Sequence, residues 1–146
     1  MASLELEGFD SLEDAFRRIS EIPFEVTAEA LDGMAEVALK KIKSQGESMG
    51  VRDPDSDVHI LDKIKANKAK QTQSGGYENI TFSGSRTRGR GKRTRNAEIA
   101  FINEYGKRGQ RARPFIGTAM TQNEDAILAP AEKTIGGWIE KTFTQN

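Results

Sequence analysis

Apolar positions recur at helical spacing in the first third of the chain and again in the last, with a short alternating stretch between them. Leu12, Ala15, Phe16 and Ile19 predict a first helix, with Asp10 as its cap and Glu13 as the reciprocal half of a capping box. Residues 1–9 ahead of it read as a loose arm. Phe24, Ala28, Leu31, Ala35, Ala38 and Ile42, widened by Val26, Met34 and Val37, predict a second, longer helix that starts after Pro23 and stops at Gly46. Early acids (Glu25, Glu29, Asp32) and late lysines (Lys40, Lys41, Lys43) suit its dipole. Gly33 within it costs about 1 kcal/mol relative to alanine, so a close packing contact is expected there. Residues 59–65 (HILDKIK) predict one or two helical turns, and the lysine- and glutamine-rich stretch 66–76 predicts a mobile segment. The run 77–83 (YENITFS) alternates as a strand, with Ile80 and Phe82 on one face.

Residues 96–120 (NAEIAFINEYGKRGQRARPFIGTAM) join two apolar arms through a basic, glycine-punctuated link. Ala97, Ala100, Phe101 and Tyr105 mark the buried stripe of a helix, flanked by Ile99 and Ile102. Gly106 sits where that helix closes in a left-handed conformation. Pro114 holds Arg113 extended and presets the first turn of the next helix, which buries Phe115, Ile116, Ala119 and Met120. That helix is expected to run to Ile127 and to break at Pro130. A further segment carries Ile135, Trp138 and Ile139, weakened by Gly136-Gly137 and so held by packing. Residues 84–95 contain no apolar side chain and predict a flexible basic loop. The expected whole is one α+β domain over residues 1–146: two N-terminal helices, a small antiparallel sheet, and a C-terminal helix packed on it.

Composition changes that picture in one respect. Hydrophobic content of 36% implies a modest core, or burial completed in an assembly. Net charge is zero, yet residues 1–57 carry 14 acids against 6 bases, whereas residues 86–113 carry 10 bases against 2 acids. Each pole calls for a partner of opposite sign, and a second copy of the chain supplies both. The absence of cysteine excludes disulfides, thiolate zinc sites and thiol nucleophiles. No apolar run reaches the roughly 18–20 residues of a membrane span, and the N-terminus lacks a signal-peptide pattern, so a cytoplasmic origin is expected.

Four candidate sites fail, on spacing or for want of partners. Asp53, Asp55 and Asp57 imitate a calcium loop, but its glycine and glutamate positions hold Val58 and Ile64. Gly84 and Gly89 have P-loop spacing, but Arg90 and Gly91 follow where lysine and a hydroxyl are needed. His59 is the sole histidine, and Glu98 and Glu104 fall on different sides of a helix. No catalytic constellation or cofactor motif remains, so no enzyme is expected. The run Arg86, Arg88, Arg90, Lys92, Arg93 and Arg95 is the one strong functional candidate. Lacking aromatics and any base-reading motif, it suits sequence-blind contact with phosphate or docking on an acidic protein surface.

Glu104-Tyr105-Gly106, then a polar loop, then Ala112-Arg113-Pro114-Phe115 and Ala119, resembles the head–tail joining family of long-tailed phages, also called neck, tail-completion or minor tail proteins. The similarity covers roughly residues 24–138, and residues 1–22 match the family poorly. The resemblance implies a virion structural protein at the head–tail junction, made in the host cytoplasm and assembled as a hexameric or dodecameric ring around the DNA channel. Its implied partners are other neck proteins, the tail-tube or terminator protein, and non-specifically contacted double-stranded DNA; no membrane is implied. It also implies that Phe115 enters the core and Arg113 braces Glu104. A non-specific nucleic-acid-binding protein of a mobile element is the alternative.

Overall fold

The computed structural model describes residues 9–51, 59–88 and 91–144. Helix α1 (Phe9–Ser20) and helix α2 (Phe24–Ser48) open the chain, parted by Pro23 in extended backbone. Asp10 lies inside α1 instead of capping it. A 3-10 turn (Ile60–Asp62) leads into strand β1 (Ile64–Ala66), so HILDKIK divides between one turn and one strand. Strands β2 (Lys70–Thr72) and β3 (Gly75–Tyr77) form a hairpin over the stretch expected to be mobile. Strand β4 (Ile80–Phe82) pairs antiparallel with β1, setting Ile64 opposite Phe82. Strands β5 (Ser85–Arg88) and β6 (Lys92–Arg95) form a third ladder. Helix α3 (Asn96–Tyr105), helix α4 (Phe115–Gln122) and helix α5 (Glu124–Thr144) complete an α+β fold. The initial arm, 1–8, and the acidic turn, 53–57, lie outside the described residues.

Helix α2 is the axis of the molecule. Its Ala30, Ala35, Ala38, Ile42 and Gly46 are buried, and the helix packs against α5, α4, β1 and β3. Small residues let the neighbours approach closely. At Gly33 a Cβ would stand 2.8 Å from Pro130 Cβ, which is the contact the sequence required. Gly46 does not end the helix. A Cβ there would reach 2.6 Å from Leu61 Cδ2 and 3.1 Å from Phe115 Cδ2, so this glycine makes room for the core while α2 runs on to Ser48.

The core gathers Ile42, Val51, Ile60, Leu61, Phe82, Ile99, Ala100, Phe115 and Ala119. Phe115 is fully buried and meets Phe82 edge-on, ring centroids 6.0 Å apart. Burying one such ring contributes roughly 1.5–3 kcal/mol, so α4 is pinned to the β1–β4 ladder largely through Phe115. The helix that starts there breaks at Asn123, not at Pro130. The Asn123 carbonyl accepts the Ile127 N–H (2.9 Å) and opens α5, while Pro130 stays inside α5 against Gly33. That contact helps offset the cost of an interior proline, about 3 kcal/mol.

Candidate functional site

The glycine-punctuated link is a clasp between α3 and α4. Gly106 closes α3 at φ +77° and ψ 176°, a conformation open to glycine, and its N–H reaches the Ile102 carbonyl at 2.8 Å. Lys107 and Gln110 bond each other through their backbones at 3.1 and 2.9 Å, making a tight basic loop. Arg113 N–H then donates to the Asn103 carbonyl (2.6 Å), and Pro114 delivers Phe115 to the core. Glu104, 9% exposed, receives the backbone N–H groups of Ile116 and Gly117, each at 2.8 Å. A carboxylate on the first turn of α4 satisfies two donors that no helical carbonyl can reach, and it complements the dipole. The expected brace from Arg113 to Glu104 is therefore replaced: the carboxylate is taken by α4, and Arg113 acts through its backbone. Phe115 enters the core as expected.

The stripe of α3 is turned relative to expectation. Asn96, Ile99, Ala100, Asn103 and Glu104 face inward, whereas Ala97, Phe101 and Tyr105 face solvent. Phe101 (62% exposed) and Tyr105 (70%) lean together with ring centroids 4.7 Å apart. Apolar residues occur all round this short helix, so periodicity alone could not choose the face. The deciding groups are polar: Asn96 and Glu104 find backbone partners only on the inner side.

The basic run expected as a loop is a β-hairpin. Ser85 pairs with Arg95, Arg86 with Thr94, Thr87 with Arg93, and Arg88 with Lys92. Alternation places Ser85, Thr87, Arg93 and Arg95 on one face and Arg86, Lys92 and Thr94 on the other. Thr94 is buried and Arg86 half-buried, so the second face rests on the domain. Arg93 Nε donates to Ser85 Oγ at 2.6 Å across the ladder. Asn96, 1% exposed, anchors the base by donating its side-chain N–H to the Ser83 carbonyl (2.8 Å) and its backbone N–H to the Gly84 carbonyl (3.0 Å). Arg90 lies outside the described residues.

Between this hairpin and α3 opens a cleft of about 630 Å³, floored by Phe82, Gly84 and Ala97 and bordered by Arg93 and Arg95. Among the described residues that line it there is no carboxylate, thiol or imidazole, so they offer cations and no acid–base pair. Among the described residues no group of three or more His, Cys, Asp and Glu side chains could hold a metal ion, and no helix is long and apolar enough to cross a membrane.

The acidic pole is equally ordered. Glu21, Glu25, Glu29, Asp32 and Glu36 are all exposed and recur every three or four residues. The four on α2, from Glu25 to Glu36, form one stripe about 16 Å long. Glu36 pairs with Lys40 at 2.9 Å, and this hydrogen-bonded ammonium holds its carboxyl below the usual range. Asp32 lies beside Glu78, whose carboxyl is pushed up to about 7 by burial first and by Asp32 second. The ion pairs of Arg17 with Glu13 and Asp14, of Lys40 with Glu36 and of Lys43 with Asp62 all lie within the first 62 residues.

Comparison with protein-family models, with curated proteins and with solved structures finds no match to this chain.

Proposed function

We propose that this protein is a phage virion component of the head–tail junction, a ring-forming neck or tail-completion subunit that acts by shape and charge. The observation that carries the reading is the clasp. The residues through which the sequence resembles that family, Glu104-Tyr105-Gly106 and Ala112-Arg113-Pro114-Phe115, work together as a device that sets α4 on the core and holds out a basic loop. The separated poles support it. A ring subunit needs two different surfaces that complement each other, and a cyclic head-to-tail contact uses one of each per copy. Structural roles follow for Glu104, Gly106, Arg113, Pro114 and Phe115, while Arg86, Arg88, Arg90, Lys92, Arg93 and Arg95 provide the contact with neighbouring protein or channel DNA.

The cleft between hairpin and α3 favours a second reading, non-specific nucleic-acid binding by a mobile-element protein, because Arg93 and Arg95 border a space open to a phosphate backbone. Native mass measurement with electron microscopy separates the two. Six- or twelve-membered rings that dock on tail-tube protein support the neck reading. A monomer that shifts duplex DNA with a steep salt dependence, and ignores virion proteins, replaces it. If serine at all six hairpin bases leaves both ring docking and DNA affinity unchanged, the role given to the hairpin is wrong.

A further inference from the structure

Helix α5 contains two consecutive glycines that no close contact among the described residues accounts for. A Cβ at Gly33 or Gly46 would come within 3 Å of a neighbouring side chain, but a Cβ at Gly136 or Gly137 would meet no described residue within 4 Å. Gly137 instead borders a groove of about 430 Å³ between α2 and α5, whose apolar lining comes from Val26, Pro130 and Trp138. Glu29 edges this groove on the α2 side, and Lys133 and Lys141 edge it on the α5 side.

A surface of complementary charge exists elsewhere on the molecule. The exposed Phe101–Tyr105 pair projects from α3 between an acid, Glu98, and the basic clasp loop with Lys107 and Arg108. An aromatic ridge with one acidic and one basic flank fits an apolar groove with one basic and one acidic wall. In the matching orientation Lys107 and Arg108 lie toward Glu25 and Glu29, and Glu98 lies toward Lys133 and Lys141. The reverse orientation sets like charges together at both edges, so charge selects one direction of docking.

We propose that the α2–α5 groove is the docking site for the Phe101–Tyr105 ridge of a second copy of this chain. Two aromatic side chains in a small apolar groove are the kind of central anchor that dominates interface energy. The two surfaces differ, so the contact is head-to-tail and repeats from copy to copy, closing where the rotation allows. The inference rests on the ring reading in one respect, that the occupant is another copy.

The test uses the full chain, in which cysteine is naturally absent. Gly137→Leu fills the groove, and Phe101→Ala with Tyr105→Ala removes the ridge; each is expected to weaken self-association at least tenfold in sedimentation or native mass measurements. Thermal melting of the Gly137→Leu protein serves as the control for folding. Separately, Tyr105→Cys combined with Gly137→Cys is expected to give inter-chain products with a short bismaleimide, and neither single variant should. Glu25→Arg with Glu29→Arg should abolish assembly, and adding Lys107→Glu with Arg108→Glu should restore it. Rings that persist in both groove and ridge variants, without cross-linking, overturn this docking mode and leave the ring reading intact. A wild-type chain that stays monomeric at every concentration overturns both.

Discussion

Helix α2 has two contrasting neighbourhoods. Toward Leu61 and Phe115 its glycine is a tight fit, and every atom removed from that junction or added to it is felt. Toward α5's second half the same helix borders an open groove where a Cβ at Gly137 would meet no described residue within 4 Å. Glycine lowers helix propensity equally in both places, by about 1 kcal/mol each. In the first the loss is recovered within the fold, by close approach. In the second no contact among the described residues recovers it, which leaves the outer surface. A glycine in a helix thus separates a packing requirement from an interface requirement only once its surroundings are known.

The sharpest way to break this contrast is Gly46→Val. Its side chain would overlap Leu61 and Phe115, which are 1% and 0% exposed and have nowhere to move. Overpacking of this kind is expected to cost about 3 kcal/mol, visible as a large drop in chemical-denaturation midpoint. A preserved midpoint would show that the junction is looser than described. Glu104→Ala should follow closely. It strips the Ile116 and Gly117 N–H groups of their acceptor and unseats the helix that carries Phe115, for a loss of about 2–3 kcal/mol. Glu104→Gln, which keeps an acceptor but not the charge, should recover roughly half of that. Equal losses in both variants would mean that the charge, and not the hydrogen-bonding pair, carries the effect.

Gly137→Ala should go the other way. With no atom to strike, the methyl group brings helix propensity alone and should stabilise the monomer by about 0.5–1 kcal/mol. Destabilisation would instead reveal an inward contact at the groove.

The smallest effect concerns Glu78, beside α2's Asp32. Its carboxyl titrates near 7 when folded, against an ordinary 4.5. Between those values the folded chain holds a proton that the unfolded chain has released, so stability declines as pH rises through the interval and levels off above about 7. Below about pH 4.5 both states are protonated and the favourable contribution is complete. Glu78→Gln should therefore raise the melting temperature at pH 8 relative to wild type and change it little at pH 4.5. A difference that is independent of pH would assign the effect to packing.

Much of the core region was legible in the linear pattern. The need for close packing at Gly33, the closing turn at Gly106 and the burial of Phe115 all follow from local rules about φ, helix propensity and what proline does to its neighbours. The hairpin at 85–95 was illegible because it carries no hydrophobic signal. Its order comes from a backbone ladder, from Thr94 packed beneath it and from Asn96 bonded to the Ser83 and Gly84 carbonyls, none of which leaves an apolar period. The facing of α3 was equally hidden, since Ala97, Ile99, Ala100, Phe101, Ile102 and Tyr105 offer apolar atoms in every direction.

By itself, then, the sequence determined most of the helical segments, the breaks at Pro23 and Gly106, and that charge divides into opposed poles, because these depend on neighbours a few residues away. Tertiary structure alone decided which side of α3 faces water, that Glu104 serves α4 and not Arg113, and that Gly46 admits Leu61 while Gly137 admits no other described residue. Those outcomes depend on where distant backbone donors and side chains come to lie, and buried polar groups with few possible partners outweigh an apolar pattern that points several ways at once.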